Sequence, residues 1–322
     1  MLDVKTINDA IASTGVLPVI NVPKPELAEP LAKALINGGM TALEITLRNE
    51  SALDSVRIIK QAYPEFIVGA GTVLSVSDAE RAIAAGADFV VSPGFDEEVV
   101  DYCLERGILI VPGCCTPTEM QAAVKKGLTT LKFFPAELSG GMAAIKLLSG
   151  PFPKVRFVPT GGITFDNLGE YLSSDKILAC GGSFMANADQ VKRGDFEAIT
   201  AACKKAMDIS LGFELAHVGI NHDSAEQAYK NIERVSQIFR LGVKDGEKGA
   251  MVGGCVELMK VPFYGTKGHV GFKTRSVARA LAYFEKNGYK INESSINRDE
   301  KGLVSAYLEE EIGGFAFHVV RK

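Results

Sequence analysis

The chain has 322 residues, 47% of them hydrophobic and 23% charged, an ordinary globular balance in a chain long enough to bury more than one core. Its net charge of −4 argues against the basic face that nucleic-acid binding requires, and no apolar run approaches the roughly 20 residues of a membrane span. The six cysteines form no C-x-x-C pair. We therefore expect reduced thiols, a cytoplasmic location, and neither a nucleic-acid nor a membrane partner.

The first 208 residues alternate between apolar, strand-like runs and helical patterns. Eight runs fit strands, at 16–22, 42–48, 66–73, 89–94, 108–114, 129–136, 156–162 and 177–184. Helical patterns between the runs predict parallel βαβ units. Eight such units predict an α/β fold of the (β/α)8 barrel type. A doubly wound open sheet is the alternative, but no G-x-G-x-x-G follows the first strand.

Side-chain alternation predicts which residues face the interior of this barrel. In A-L-E-I-T-L-R, Glu44 shares a face with Thr46 and Arg48, opposite a row of aliphatic residues. Glu44 is therefore expected inside the barrel and Arg48 at its mouth. In L-K-F-F-P-A-E the same alternation turns Lys132 inward, towards Glu44.

A lysine among phenylalanines is suited to Schiff-base formation, because an uncharged amine attacks a carbonyl carbon. Residues 1–212 contain no histidine, so Glu44 is the best-placed group for proton transfer. The structural alternative is a buried Lys132–Glu44 pair that only fixes the strand register, although such pairs add little stability.

The ends of other strands predict the rest of the ligand. Arg48 and Thr72 offer a forked cation and a hydroxyl for a carboxylate. The motifs T-G-G (160–162) and G-G-S (181–183) end the last two strands, where barrels often bind phosphate through backbone N–H groups. The pattern predicts an α-keto acid that carries a phosphate.

These motifs resemble a known family. L-E-I-T-L-R-N-E-S-A-L-D, V-G-A-G-T-V-L-S, L-K-F-F-P-A-E and G-G-S-F-M are similar to those of the 2-dehydro-3-deoxy-6-phosphogluconate (KDPG) aldolase / 4-hydroxy-2-oxoglutarate (KHG) aldolase family. The resemblance spans residues 1–208. It implies a trimeric class I aldolase on a (β/α)8 barrel, without a cofactor. Such an enzyme cleaves KDPG, a keto-acid sugar phosphate, to pyruvate and glyceraldehyde 3-phosphate, or KHG to pyruvate and glyoxylate.

The resemblance also implies roles for individual residues. Lys132 corresponds to the Schiff-base lysine and Glu44 to the catalytic acid and base. The implied substrate-binding residues are Arg48 and Thr72 for the carboxylate, Pro93, Phe134 and Thr160 in the pocket, and Gly161, Gly162, Gly182 and Ser183 for the phosphate.

A second domain is predicted over residues 215–322, after a linker at 209–214. It contains an internal repeat, because A-H-V-G-I-N-H-D-S-A-E-Q-A-Y (216–229) matches G-H-V-G-F-K-T-R-S-V-A-R-A-L (268–281). Each copy fits a strand, a helix and further strands. Two βαβββ copies resemble the vicinal oxygen chelate, or glyoxalase-like, fold.

In that fold each copy supplies metal ligands from its first and last strands. The matching positions are His217, Glu257, His269 and Phe317, with His318 beside the last. Two histidines and a carboxylate are a workable set for a divalent metal; the alternative is that the histidines are satisfied core residues. A second functional hypothesis follows, in which a non-catalytic keto-acid- or phosphate-binding barrel serves a C-terminal metalloenzyme domain.

Overall fold

The computed structural model describes residues 2–322, which form two compact units, one ending at Ser210 and the other beginning at Leu211. The predicted linker, residues 209–214, contains the end of a helix and the beginning of a strand. A helix over Phe196–Leu211 continues into this segment, because its apolar spacing persists, and a strand begins at Glu214. Gly212, with φ of 55°, follows the helix in the left-handed conformation that glycine adopts at little cost. Among residues 2–322, no helix is both long and apolar enough to cross a membrane.

The N-terminal unit contains eight parallel strands, one within each predicted segment. They are β1 (Val16–Ile20), β2 (Ala42–Thr46), β3 (Ile67–Gly71), β4 (Phe89–Val91), β5 (Leu109–Val111), β6 (Thr130–Phe133), β7 (Arg156–Pro159) and β8 (Cys180–Gly182). Every residue of β2 and β3 is buried, as expected for parallel strands with both faces covered. The strands are shorter than predicted because their last residues leave the sheet and form the loops of the site.

These strands make a curled parallel sheet. Six follow the order β5-β4-β3-β2-β1-β8, and β6 pairs with β7. Isolated bridges connect Gly113 with Lys132 and Thr160 with Gly181, so the β6–β7 pair meets its neighbours on both sides. All eight strands are thus joined, each to the strands next to it in the chain, with β8 beside β1.

Helices connect these strands. They are α1 (Val4–Thr14), α2 (Ala28–Asn37), α3 (Ala52–Ala62), α4 (Val76–Ala84), α5 (Glu97–Glu105), α6 (Pro117–Lys125), α7 (Gly141–Leu148), α8 (Phe165–Leu172), α9 (Ala188–Arg193) and α10 (Phe196–Leu211). Side-chain caps fix several starts; Thr116 and Glu119, for example, form a capping box at α6. Ile7 and Ile11 of α1 pack against residues at the beginnings of the strands, such as Leu17. That end of the sheet is therefore closed, and the carboxyl ends of the strands carry the site.

The C-terminal unit is a separate mixed sheet with two helices. Its elements are β9 (Glu214–Ile220), α11 (Ala225–Phe239), β10 (Val243–Asp245), β11 (Gly249–Val252), β12 (Val256–Met259), β13 (Gly268–Thr274), α12 (Val277–Lys286), β14 (Asn297–Asp299), β15 (Gly302–Ile312) and β16 (Phe315–Arg321). The strand order is β10-β11-β12-β9-β13-β16-β15-β14. The first strands of the two halves, β9 and β13, pair antiparallel at the centre, and each pairs in parallel with the last strand of its own half.

Candidate active site

A buried lysine–glutamate pair lies inside the curled sheet of the N-terminal unit. Lys132 of β6 is 6% exposed and Glu44 of β2 is 1% exposed. The Lys132 Nζ donates to Glu44 Oε1 at 3.2 Å, although the two residues are 88 positions apart. The Nζ also lies 5.6 Å from the centre of the Phe134 ring. The flanking Leu131 and Phe133 are fully buried, which is the alternation that turns Lys132 inward.

Glycine provides the space for the carboxylate. Gly71 ends β3 opposite Thr46 of β2, and a Cβ at this position would overlap the Glu44 carboxylate. Gly181 likewise provides space for the hydroxyl of the buried Thr160, because a Cβ at Gly181 would overlap that hydroxyl. The small residues at the strand ends therefore admit polar side chains to the interior instead of only marking turns.

Arg48 and Thr72 meet at the mouth of the sheet. Arg48 Nε donates to Thr72 Oγ1 at 3.2 Å. Thr72 has φ of 60°, a left-handed conformation that is costly for a β-branched residue. Strain of this kind persists where the surrounding structure over-determines the backbone, and it clusters at functional sites. The exposed guanidinium and the hydroxyl are placed for a carboxylate ligand.

The two glycine motifs lie side by side. A Cβ built at Gly182 would be 3.9 Å from Ile163, the residue after Gly162. Gly161 and Gly162 have φ of 95° and 85°, so both require the freedom of glycine. A Cβ at Gly161 would lie 3.5 Å from the Phe134 ring, which connects this loop to the Lys132 pocket. The exposed Ser183 follows Gly182.

Pro93 follows β4 and lies against Gly113, which follows β5. A Cβ at Gly113 would overlap the Pro93 carbonyl group. Each residue that the sequence predicts for this site therefore follows a strand end or lies on a strand of the same curled sheet. The direct contacts join Lys132 to Glu44 and Arg48 to Thr72.

The sequence of this unit matches the family model for KDPG and KHG aldolase over residues 7–202. The chain belongs to the KDPG and KHG aldolase family. It is an aldolase, a lyase that acts on a carbon–carbon bond.

Three relatives illustrate the family. The 2-dehydro-3-deoxy-phosphogluconate aldolase of Treponema pallidum is 46% identical over 204 residues, which are 63% of this chain and 97% of that protein. KDPG aldolase of Legionella pneumophila, solved with pyruvate captured as a covalent carbinolamine intermediate, is 35% identical, with a TM-score of 0.60 over 62% of this chain and 97% of the other. The 2-keto-3-deoxy-6-phosphogluconate aldolase of Zymomonas mobilis, solved with 3-phosphoglycerate, is 36% identical, with a TM-score of 0.60 over 64% and 96%.

The aldolase carries a second polar cluster in its C-terminal unit. The Nε2 atoms of His269 and His318 lie 3.1 Å and 3.2 Å from Nε2 of His217. The Oε2 of Glu257 is 3.1 Å from Nε2 of His269 and 3.7 Å from Nε2 of His217. Two ligands bound at about 2.1 Å to one ion are about 3.0–3.4 Å apart in octahedral or tetrahedral geometry. The three imidazole nitrogens are close enough together for one metal ion, and the Glu257 carboxylate lies beside two of them.

The repeated H-V-G explains how this cluster forms. In the antiparallel pairing of β9 with β13, His269 is opposite Gly219, and Gly271 is opposite His217. A Cβ at Gly219 would overlap the His269 ring, and one at Gly271 would lie 2.7 Å from Cε1 of His217 and 2.5 Å from Nε2 of His318. Each glycine thus makes room for a histidine of the other repeat.

The strand register corrects one position of the predicted ligand set. Glu257 pairs with Gly219, two residues after His217, and His318 pairs with Gly271, two residues after His269. His318 is therefore the counterpart of Glu257, and the assignment to Phe317 was wrong by one residue. Because side chains alternate, Phe317 lies on the opposite face and stacks with Phe272.

The electrostatics of the cluster favour the protonation states of metal ligands. Burial, together with the neighbouring His217 and His269, lowers the pKa of His318 to about 3. Burial and His269 also lower the pKa of His217. The hydrogen bond from His269 lowers the pKa of Glu257. Neutral imidazoles and an ionised carboxylate are the forms that bind a cation.

Aromatic packing holds this cluster in place. The buried Nδ1 atoms of His269 and His318 have no hydrogen-bond partner within residues 2–322. Tyr307 stacks on His318, with ring centres 4.4 Å apart, and Phe263 meets the edge of His269 at 5.9 Å. The rings are therefore oriented by contact with neighbouring aromatic groups.

Sequence reasoning missed three kinds of residue. Gly71 was interpreted only as part of a strand-end motif, although it defines the space for Glu44. His318 was placed one position off the ligand set. Asn167 of α8 was not considered, yet it bonds to the Gly162 loop. The sequence contained a signal for His318. Glu257 follows His217 by 40 positions in the first repeat. The second repeat is longer, so the residue equivalent to Glu257 lies more than 40 positions after His269.

Proposed function

We propose that the N-terminal unit cleaves KDPG to pyruvate and glyceraldehyde 3-phosphate through a Schiff base on Lys132, and that it also accepts KHG. The observation that carries this proposal is the buried contact of 3.2 Å between Lys132 Nζ and Glu44. A carboxylate at this distance can relay the protons that Schiff-base formation and bond cleavage require. The pyruvate carbinolamine in the Legionella relative supports the same chemistry for the family.

The proposed steps use only this pair and water. The Lys132 amine attacks the C2 ketone of the substrate and forms a carbinolamine, which loses water to give an iminium ion. The C3–C4 bond then breaks, and its electrons move into the iminium to give an enamine. Glu44, through a water molecule, takes the proton from the C4 hydroxyl, so the aldehyde leaves. Protonation of the enamine at C3 and hydrolysis then release pyruvate and free Lys132.

Substrate binding follows from the charges around this pair. Arg48 and Thr72, 3.2 Å apart, would hold the carboxylate next to C2. The N–H groups of the 161–163 loop and the hydroxyl of Ser183 would hold the phosphate of KDPG. The 3-phosphoglycerate in the Zymomonas relative supports a phosphate site in the family. We therefore expect a higher kcat/KM for KDPG than for the unphosphorylated KHG.

Reduction with borohydride tests the central claim. With pyruvate present, borohydride should reduce the iminium and leave a pyruvate-derived adduct on the peptide that contains Lys132, detectable by mass spectrometry. Lys60, which forms a half-buried ion pair with Asp88 2.8 Å away, is the internal control and should stay unmodified. An unmodified Lys132 peptide in protein that is otherwise folded would reject the aldolase mechanism and favour a binding role.

The assembly is part of the same proposal. We propose that the eight strands close as one (β/α)8 barrel, for which the bridges beside β6 and β7 are support. The barrel domain would end near residue 208. Following the family resemblance, three chains of 34.4 kDa would associate, giving about 103 kDa. Light scattering during size-exclusion chromatography tests this, since a mass near one chain would contradict the trimer.

For the C-terminal unit we propose a glyoxalase-like module that binds one divalent metal. The support is the convergence of the ring nitrogens of His217, His269 and His318, with the Glu257 carboxylate beside His217 and His269. The first strands of the two repeats, β9 and β13, pair with each other and bring these groups together. His217, Glu257, His269 and His318 would hold the ion, which would supply a Lewis acid with open positions. Elemental analysis of untagged protein tests the proposal: about one equivalent of zinc, nickel, manganese or iron is expected. Protein that contains none and gains none on dialysis against these ions would reject it.

A further inference from the structure

Three consecutive residues of the N-terminal unit form a loop with a fixed backbone orientation. Gly161, Gly162 and Ile163 lie between β7 and α8. The carbonyl of Gly161 accepts a hydrogen bond from the N–H of Glu137 at 3.1 Å. The carbonyl of Gly162 accepts one from Nδ2 of Asn167 at 3.0 Å.

These two bonds determine where the neighbouring N–H groups point. In a trans peptide the C=O and the following N–H are antiparallel. Because each carbonyl is held by its own partner, the N–H group that follows it, of Gly162 or of Ile163, points away from that partner. Neither N–H donates to a protein acceptor in the part of the chain that the structure describes. Successive N–H groups turned the same way make a concave site for an anion.

Asn167 has two bonds in this arrangement. Its Nδ2 donates to the Gly162 carbonyl, and its Oδ1 accepts from the N–H of Thr164 at 2.8 Å. A single carboxamide therefore fixes the peptide plane between Gly162 and Ile163 and also caps the first turn of α8. Asn167 is half-buried. A ligand in the concave site would meet the backbone N–H groups and not this side chain.

The side chain of Glu137 packs against the loop and restricts its backbone. A Cβ at Gly162 would lie 2.5 Å from Cγ of Glu137. The carboxylate of Glu137 accepts a hydrogen bond from the buried Tyr171 hydroxyl of α8. The loop is thus clamped between the segment after β6 and helix α8, and Asn167 is the one side chain bonded directly to its carbonyl groups within residues 2–322.

We propose that Asn167 is a positioning residue for the phosphate subsite: it orients the Ile163 N–H and so sets the affinity for the phosphate group. The inference rests on the proposed aldolase function and its phosphate site. It assigns discrimination between phosphorylated and unphosphorylated substrates to a residue that touches neither substrate.

The test uses the full chain and two variants. Asn167→Asp keeps the shape and the acceptor for Thr164 but replaces the donor by an oxygen that faces the Gly162 carbonyl. Asn167→Ala removes both bonds. For each variant KM for KDPG should rise about tenfold, and the inhibition constant of inorganic phosphate should rise in parallel, as expected for one lost hydrogen bond in a rigid site. kcat and the kcat/KM for KHG should stay within about twofold.

Controls separate this inference from the function on which it rests. Glu170→Gln, an exposed change on the same helix, should leave both substrates unaffected. If Ser183→Ala raises KM for KDPG while neither Asn167 variant does, the phosphate site stands and the role of Asn167 is wrong. If Ser183→Ala has no effect and phosphate does not inhibit the native protein, the proposed phosphate site itself fails. Equal losses on KDPG and KHG, with a lower Tm, would make Asn167 merely structural and overturn the inference.

Discussion

The two units of this chain bury their polar groups in opposite ways. In the N-terminal unit one amine meets one carboxylate, Lys132 and Glu44, and the pair is neutral as a whole. In the C-terminal unit three imidazoles and one carboxylate converge, with their donor atoms facing each other. The first set satisfies itself by hydrogen bonding. In the second, three ring nitrogens and a carboxylate oxygen crowd together, and we propose that a cation completes the set.

Both units use glycine to admit these side chains. Gly71 leaves space for Glu44, and Gly219 leaves space for His269. The difference lies in how the groups are brought together. The aldolase pair comes from two strands of a curled parallel sheet, 88 residues apart, whereas His217 and His269 come from equivalent positions of a repeat. The two sites therefore differ in composition: an amine and a carboxylate pair with each other in one, whereas imidazoles and a carboxylate, the usual ligands of a divalent metal, gather in the other.

The largest expected effect is on kcat, and it follows from a change in the Lys132–Glu44 pair. Glu44→Gln keeps the volume but cannot take a proton, so kcat for KDPG cleavage should fall about 10³-fold. Borohydride should still trap pyruvate on Lys132, though more slowly, because the amine remains. Steady-state and trapping rates measured on the same preparation check this. Activity within a few-fold of the native level would remove Glu44 from the proton-transfer role.

The second prediction concerns the histidine and glutamate cluster of the C-terminal unit. His269→Ala removes a central ligand, so the affinity for zinc or nickel should fall at least about 100-fold, measured by titration with a chelating dye. KDPG cleavage should be unchanged, with or without EDTA. The matched control is His222→Ala, since His222 bonds to the Met259 carbonyl outside the cluster. Loss of aldolase activity on metal removal would break the proposed independence of the two sites.

A smaller effect is expected at Arg48, at the mouth of the curled sheet. Arg48→Lys keeps the charge but loses the fork that meets both Thr72 and a carboxylate. KM for KDPG and for KHG should therefore rise by a similar factor, about tenfold, because both substrates carry the same carboxylate. Kinetics on the two substrates check this. A rise for KDPG alone would place Arg48 at the phosphate instead.

The smallest effect is an acid sensitivity of the metal-free C-terminal unit. The pKa of His318 is about 3 in the folded chain and 6.5 ordinarily, so the unfolded chain takes up the proton first. The free energy of unfolding should therefore be highest above pH 6.5 and fall as the pH drops towards 3, by about 1–2 kcal/mol at pH 5. Residues 1–212 contain no histidine, so they should show a weaker response in this range.

Hydrogen–deuterium exchange at pH 7 and pH 5, in EDTA, separates the two units in one experiment. The matched variant is His318→Gln, which should flatten the pH dependence of the C-terminal peptides. Equal acid responses in both units, or an unchanged slope in the variant, would contradict the role of the buried imidazole.

The residues proposed for the first site could be predicted from the sequence alone. Alternating strand residues identified Lys132, Glu44 and Arg48, because the period of a strand dictates which side chains share a face. The sequence also located the repeat and two of the histidines. These features are local, so one sequence is enough to read them.

Which atoms are in contact, in contrast, depends on the folded structure. The register between β13 and β16 selected His318 over Phe317, since a shift of one residue turns a side chain to the opposite face. The bonds from Glu137 and Asn167 to the glycine loop join segments that no periodicity links. The strained backbone of Thr72 is likewise set by its surroundings. Such contacts depend on strand pairing and loop packing, and these are fixed by the whole fold and not by neighbouring residues.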